Sequence, residues 1–337
     1  MPDTYISQFS GEEIDSALRA AQIISGASTP AELRKKLEIR GDTIPVSAED
    51  STLISEALTK IPTTSGGGVN PNLLDNWYFG RPVNQRGQTE YTGNATYSID
   101  RWWTQYETTL SIVDGGIKIG GKWDVQQYFE NTLPNATYTL SLLYKDRTGS
   151  DPLRLIIGNR TDGDLAQTES KDASGILSVT FSTAKLNKVN FGFTGSTDNS
   201  ATIIAIKLEL GDTQTLAHKE NEKWVLNEIP DFGEQLRRCQ RYFVRLTNAY
   251  GYGWTYSSSV ANFLVPLPTT LRANPVVKFT KNGEIQTING SKAVTSFEAK
   301  GIHPNGLAID LHNSANALIS GTPVTWHDSS MDISADL

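Results

Sequence analysis

A sugar is held by flat rings set among small and polar residues. The face of a Tyr or Trp lies against the apolar side of a pyranose, and neighbouring Asn, Gln, Asp or Arg side chains bond its hydroxyls. Two stretches of this chain have that mix. In Tyr250-Gly251-Tyr252-Gly253-Trp254-Thr255-Tyr256 an aromatic falls at every other position, so in an extended strand all of them share one face. That face is core, a subunit interface, or an exposed ligand surface. The other stretch is Trp102-Trp103-Thr104-Gln105-Tyr106, with Trp123 and Tyr128 further on. Adjacent strand residues point to opposite faces, so at least one of Trp102 and Trp103 is expected in the core. The candidate glycan-binding residues are Tyr250, Tyr252, Trp254, Tyr256, Trp103, Tyr106 and Trp123.

No catalytic constellation emerges. Glycosidases need a pair of carboxylates across a cleft. Of the 37 Asp and Glu residues, most sit in turns or alternate with strand residues, where a solvated surface charge is the simplest reading. There is no GxSxG elbow, HExxH helix or P-loop. His218, His303, His312 and His327 are not paired at metal-ligand spacing. Asp162-Gly163-Asp164 has oxygens that suit calcium, but an EF-hand needs a full loop closed by a glutamate, so the triplet reads as a turn and no cofactor is expected. The single cysteine, Cys239, excludes an intrachain disulfide and a multi-cysteine zinc site, and reads as a small buried hydrophobe. The sequons at Asn94 and Asn135 carry little weight without a secretory signal.

The elements that must position these residues change character along the chain. Residues 1–62 read as short helices: Ser10 and Glu13 form a capping box, Ile14, Ala17, Leu18, Ala21 and Ile24 recur at helical spacing, and Pro30 opens a second helix. None is long enough to stand alone in water, so their stripes must bury against each other, against symmetry copies or against a larger particle. A Gly-rich linker occupies 63–70. From 71 to 213 the pattern is β. Thr137 to Leu142, Ile176 to Phe181, Lys188 to Phe193 and Ile204 to Leu210 alternate with period two, the last with Ile204, Ile206, Leu208 and Leu210 on one face. Regular turn signals between them predict a sandwich or barrel. A connector at 214–235 uses Trp224, Val225 and Leu226 to tack onto a neighbour. A smaller β domain follows at 236–337, with a short helix from Gln235 and strands at Val260 to Val265, Val276 to Thr280, Ala293 to Phe297 and Gly306 to Leu311. The step Pro266-Leu267-Pro268 ends its strand or places it at an edge.

At 337 residues, 38% hydrophobic and 20% charged, the chain is long enough for two or three folded domains. A net charge of -7 argues against a nucleic-acid partner, which would require a basic footprint. No long apolar run suggests membrane insertion. Met1-Pro2-Asp3-Thr4 opens no signal peptide, so the expectation is a protein made in a bacterial cytoplasm and released by lysis.

Asn72-Leu73-Leu74-Asp75-Asn76-Trp77-Tyr78-Phe79, Asn84-Gln85-Arg86-Gly87 and Asp100-Arg101-Trp102 together resemble the opening of carbohydrate-binding-module-like domains in phage and prophage tail fibres. Ile206-Lys207-Leu208-Glu209-Leu210-Gly211 looks like that family's last strand, and Phe9 to Leu18 resembles the start of tail-associated proteins. Arg238-Cys239-Gln240-Arg241-Tyr242-Phe243, with Val265 to Pro275, is similar to the C-terminal domain that often follows. The resemblance implies a mainly β protein with N-terminal helices, a central jelly-roll sandwich and a C-terminal receptor-binding tip. It implies a non-enzymatic homotrimer in the virion tail of a phage or phage-like particle, joined to a tail or baseplate protein through residues 1–62 and recognising a bacterial surface polysaccharide. A glycan depolymerase or cell-wall hydrolase, and a ligand-free structural connector, are the alternatives. Its matched residues look structural, with strand ends pinned by Asn, Asp and Arg, so it marks the domain better than it marks a site.

Overall fold

In the computed structural model, residues 70–337 are described. The helices expected at 1–62 and all but the last residue of the linker lie outside them. The described part is mainly β, with a single helix among the described residues.

The first region holds β1 (Glu90–Thr92), β2 (Thr96–Tyr97), β3 (Trp103–Thr104), β4 (Thr108–Val113), β5 (Gly116–Gly121), β6 (Trp123–Tyr128), β7 (Ala136–Thr148), β8 (Leu153–Asn159), β9 (Gly163–Ser170), β10 (Gly175–Thr183), β11 (Lys188–Phe193) and β12 (Ser200–Leu210). They form two six-stranded sheets, ordered β1-β4-β5-β12-β7-β10 and β2-β3-β6-β11-β8-β9, every pairing antiparallel. One core joins them: Leu110, Ile119, Leu140 and Ile203 come from the first sheet, and Val125, Leu155 and Phe191 from the second. The result is a β-sandwich, consistent with the jelly roll that the resemblance implies.

The N-terminal signature is the frame of this sandwich. Residues 72–79 run along β12: Leu73 N–H donates to Leu208 O, Ile206 N–H to Trp77 O, and Phe79 N–H to Ile204 O, each at 2.9–3.0 Å. The Asn72 side chain continues the ladder, accepting from Leu208 N–H and donating to Ile206 O. Asn76, at positive φ, ties Val83 and the Asp100 carbonyl together. Trp102 is fully buried, its indole N–H bonded to Asn76 O at 2.8 Å and its ring edge-on to both Phe79 and Phe191 at 5.4 Å. Asp100 and Arg101 fasten the frame without pairing with each other: Arg101 bonds Asp75 and Tyr128 O, and Asp100 accepts from Gln85 and Arg86.

In β12 the expected apolar face holds for Ile206 and Leu208 and is corrected at Ile204, which falls at a bulge, and at Leu210, which lies exposed at the strand's end. The register against β7 shifts between Ile203 and Ala205, a bulge that reverses the parity of the strand. Ile203, Ile206 and Leu208 are buried, Ile204 is half-buried and Leu210 is exposed.

The connector contains the hairpin β13 (Ala217–Glu220) and β14 (Lys223–Leu226), whose Trp224 and Leu226 pack on the sandwich core as expected, while Val225, on the other face of the strand, is exposed. Helix α1 (Phe232–Gln240) begins earlier than the sequence suggests, because Asp231 caps it by accepting from Glu234 N–H.

The last region holds β15 (Phe243–Thr255), β16 (Val260–Pro266), β17 (Val276–Lys281), β18 (Glu284–Thr287), β19 (Gly290–Ala293), β20 (Ser296–His303), β21 (Gly306–His312) and β22 (Pro323–Ser334). Their order is β19-β18-β22-β15-β16-β21-β20, with β17 also on β22. The sheet curls until Phe279 of β17 stacks on Phe297 of β20 at 3.8 Å, around a core of Phe263, Ile309, Trp326, Met331 and Ile333. The strand expected over Ala293 to Phe297 is broken at Val294 and Thr295, between the end of β19 and the start of β20, where Val294 buries itself and Thr295 N–H donates to His312 O. Phe243 lies beyond the helix and opens β15.

The joint between sandwich and C-terminal sheet is polar and dense. Arg86 bonds Asp100 on one side and Asp336 on the other, and its guanidinium lies 4.0 Å over the Phe243 ring. Gln85 reaches Phe243 O, Arg238 pairs with Asp75 at 2.7 Å, and Arg101 stacks 3.5 Å over Tyr242. Cys239 is free and buried within this seam, and burial pushes its thiol well above the usual range.

Candidate functional site

Tyr250, Tyr252, Trp254 and Tyr256 stand together on the outer face of the C-terminal sheet, between 53% and 75% exposed. The first three are carried by β15 and the last follows its end. The alternation that puts them there is enforced from inside. Gly251 lies opposite buried Trp326 and Gly253 opposite buried Phe263. A Cβ on Gly253 would fall 2.2 Å from Asn262 O and 2.6 Å from the Phe263 ring. At Gly253 the backbone is pressed too closely for any side chain, and at Gly251 a Cβ would lie in ordinary contact with Trp326 and Phe263 at 3.7–3.8 Å, so core rings line the inner side of the strand at both.

Tyr250 and Tyr252 meet edge to face at 5.4 Å and 88°. A hydrogen bond with the Tyr250 hydroxyl holds the Tyr252 phenol above its ordinary pKa. Register brings Thr325 beside Tyr252 on β22, and Pro323 and Asn262 on either side of Trp254. Leu264, 71% exposed, shares the face from β16. One strand further out, Gln286 pairs with Thr325, and Asp310 accepts from the Asn262 amide at 2.8 Å. The arrangement is a platform of rings edged with amide and hydroxyl groups.

The sandwich candidates are scattered. Trp103 on β3 is half-buried, edge-on to Tyr128 at 6.3 Å. Tyr106 is exposed in a turn, and Trp123, at positive φ, lies under Lys122 at 5.4 Å. Trp103 shares its sheet face with a cluster the sequence reading missed. Val125 and Phe191 point into the core, so their neighbours Asp124, Gln126 and Asn190 point to the opposite face, yet all three are buried. Asn190 donates to Asp124 at 2.7 Å, Tyr128 donates to Gln126 at 2.5 Å, and Arg154 lies 3.5 Å from Asp124. Desolvation raises the Asp124 carboxyl. Asp124 Oδ1, Asn190 Oδ1 and Arg154 Nε lack hydrogen-bond partners, but all are closed to solvent, so as it stands the cluster underlies the face without offering it to a ligand. The run Asp124-Val125-Gln126 signals it, a polar-apolar-polar alternation whose polar side is hidden.

A cleft of about 230 Å³ lies among Tyr78, Arg81, Ile229, Phe232 and Gln235. Gln235 there accepts from Asn76 N–H and Arg81 covers Phe232, so the cleft belongs to the seam. Among the described residues no group of three or more His, Cys, Asp or Glu is placed to hold a metal ion. Asp162 and Asp164 pair with Lys185 and Lys188. No described helix is long and apolar enough to cross a membrane.

No protein-family model matches this sequence, and no curated protein matches it. Solved structures overlap it weakly. A family 4 carbohydrate-binding module is 14% identical over 41% of this chain and 99% of its own, at a TM-score of 0.29. A tandem pair of family 22 modules from Paenibacillus barcinonensis Xyn10C is 10% identical over 80% of this chain and 99% of its own, at 0.26. Discoidin II from Dictyostelium discoideum is 12% identical over 68% and 81%, at 0.17. At TM-scores this low the overlap identifies neither a family nor a ligand for this chain.

Proposed function

We propose that this protein is a non-enzymatic attachment protein that binds a bacterial surface glycan through the outer face of its C-terminal sheet. The observation that carries the reading is the row of Tyr250, Tyr252, Trp254 and Tyr256, held out to solvent on a rigid strand and edged by Asn262 and Thr325. Four exposed rings on one face are costly to leave in water unless something covers them. The order of the motifs at Phe9, Asn72, Arg86, Arg101 and Arg238, all resembling tail-fibre proteins, supports a place in the tail of a phage or phage-like particle. In that setting residues 1–62 would join three copies to each other and to the tail, and trivalency would multiply a weak single-site affinity.

The test is binding of the purified full chain to a panel of intact bacteria, alongside Tyr252→Ala and Trp254→Ala. Retention of wild type and loss of both variants, with unchanged thermal unfolding, is the expected result. Undiminished binding by the variants rejects this face, and release of oligosaccharides from the cells rejects the non-enzymatic reading.

A further inference from the structure

Building on the glycan-binding reading, we infer that the ligand of the C-terminal face is an uncharged polysaccharide chain, laid along β15, and not an anionic polymer. Two observations point to it. The first is the shape of the platform. From Tyr250 to Trp254 the rings follow β15 for about 13 Å, at roughly 3.3 Å per residue, and Tyr256 continues the row just past the strand's end. A row of this kind matches successive rings of one extended chain better than a single terminal sugar.

The second is charge. The side chains beside Tyr252 and Trp254 in register are Thr325, Pro323 and Asn262, all uncharged, and beside Tyr250, where the register shifts, His327 lies 3.6 Å from Asp328 with Glu284 opposite it on β18. The next row outward brings Gln286 on one side and Asp310 on the other, a carboxylate only 7% exposed whose near oxygen takes the Asn262 amide. Beyond it, Lys300 is already paired with Glu298 at 2.6 Å. Thus no unpaired cation flanks the rings in these rows, and the nearest formal charge is negative. A polyuronate or a phosphate-linked polymer would bring anions against Asp310 in a protein of net charge -7, with nothing beside the rings to neutralise them. Hydroxyls suit these edges: Thr325, Asn262 and the tyrosine hydroxyls each donate and accept.

The experiment uses surface polysaccharides extracted from bacteria that the protein binds, separated by anion exchange into an uncharged and an anionic fraction. Affinity electrophoresis of the full chain through each fraction is run between roughly 0.05 and 0.5 M salt. The uncharged fraction is expected to retard the protein with little salt dependence, Tyr252→Ala and Trp254→Ala each to weaken it by about tenfold or more, and Thr325→Lys to create salt-sensitive retardation in the anionic fraction. Retardation of wild type only by the anionic fraction, fading with salt, overturns this inference while glycan binding stands. Retardation by the uncharged fraction that ignores both ring variants also overturns it, because the chain then binds elsewhere. No retardation by either fraction overturns both the inference and the glycan reading.

Discussion

The sandwich and the C-terminal sheet use the same aromatic residues for opposite ends. Trp77, Phe79 and Trp102 are turned inward, and the polar residues of their motif exist to hold them there: Asn76 takes the Trp102 indole N–H on its carbonyl and anchors Val83 with its side chain. Tyr250, Tyr252 and Trp254 are turned outward, because the inner side of their strand is filled by Trp326 and Phe263. What decides the fate of a ring is the space on the far side of its backbone. In the sandwich that space faces a second sheet; in β15 the positions between the rings are glycines lined by Trp326 and Phe263, and at Gly253 there is no room for a side chain.

The comparison can be broken most severely at Trp102. Trp102→Ala should cost about 3–5 kcal/mol of stability by emptying the junction with Phe79 and Phe191 and orphaning Asn76 O, measured by chemical denaturation. Gly253→Ala comes next. Its Cβ meets Asn262 O and the Phe263 ring, so the strand must shift, costing about 1–3 kcal/mol and misaligning the outer rings. A destabilised protein that still binds at full strength would show that the glycine serves the core alone.

A smaller effect is expected at the joint. Desolvation raises Asp100 to about 6, and it raises Asp336, which shares Arg86 with it, in the same direction. A carboxyl whose pKa is higher folded than unfolded favours folding most when protonated. This contribution is full below the ordinary carboxylate value near 3.8 and is lost as pH rises through about 6. Asp100→Asn should therefore flatten that part of the fall in stability between roughly pH 4 and 6, read from melting temperatures across pH. Smallest is the effect of Trp254→Ala on stability, within about 0.5 kcal/mol, because the ring lies outside the core.

Much of the fold was legible because alternation is a local signal. Lys188 to Phe193 is β11 to the residue, and Pro266 ends β16. What escaped is what depends on distant partners. The bulge in β12 arises from its register with β7, so Ile204 falls at the shift and is only half-buried, while Leu210 keeps the parity of Ile206 and Leu208 and is exposed at the strand's end. The strand β22 was not foreseen. Its segment, Pro323 to Ser334, alternates buried and half-buried positions through Ser and Asp, and it is held by β15 along one edge and by β17 and β18 along the other. The aromatic row was readable as a face but not as an exposed one, since Trp326 and Phe263, which fill the other side, lie elsewhere in the sequence. The Asp124, Gln126 and Asn190 cluster was hidden because polar strand residues ordinarily face water.

The two regions are separated most directly by cell binding of matched surface variants. Tyr252→Ala with Trp254→Ala removes rings from the C-terminal face, and Tyr106→Ala with Trp123→Ala removes the exposed rings of the sandwich, neither pair reaching a core. The account predicts that the first pair abolishes binding to intact bacteria and the second leaves it unchanged. Binding lost with the sandwich pair and kept with the C-terminal pair would contradict it.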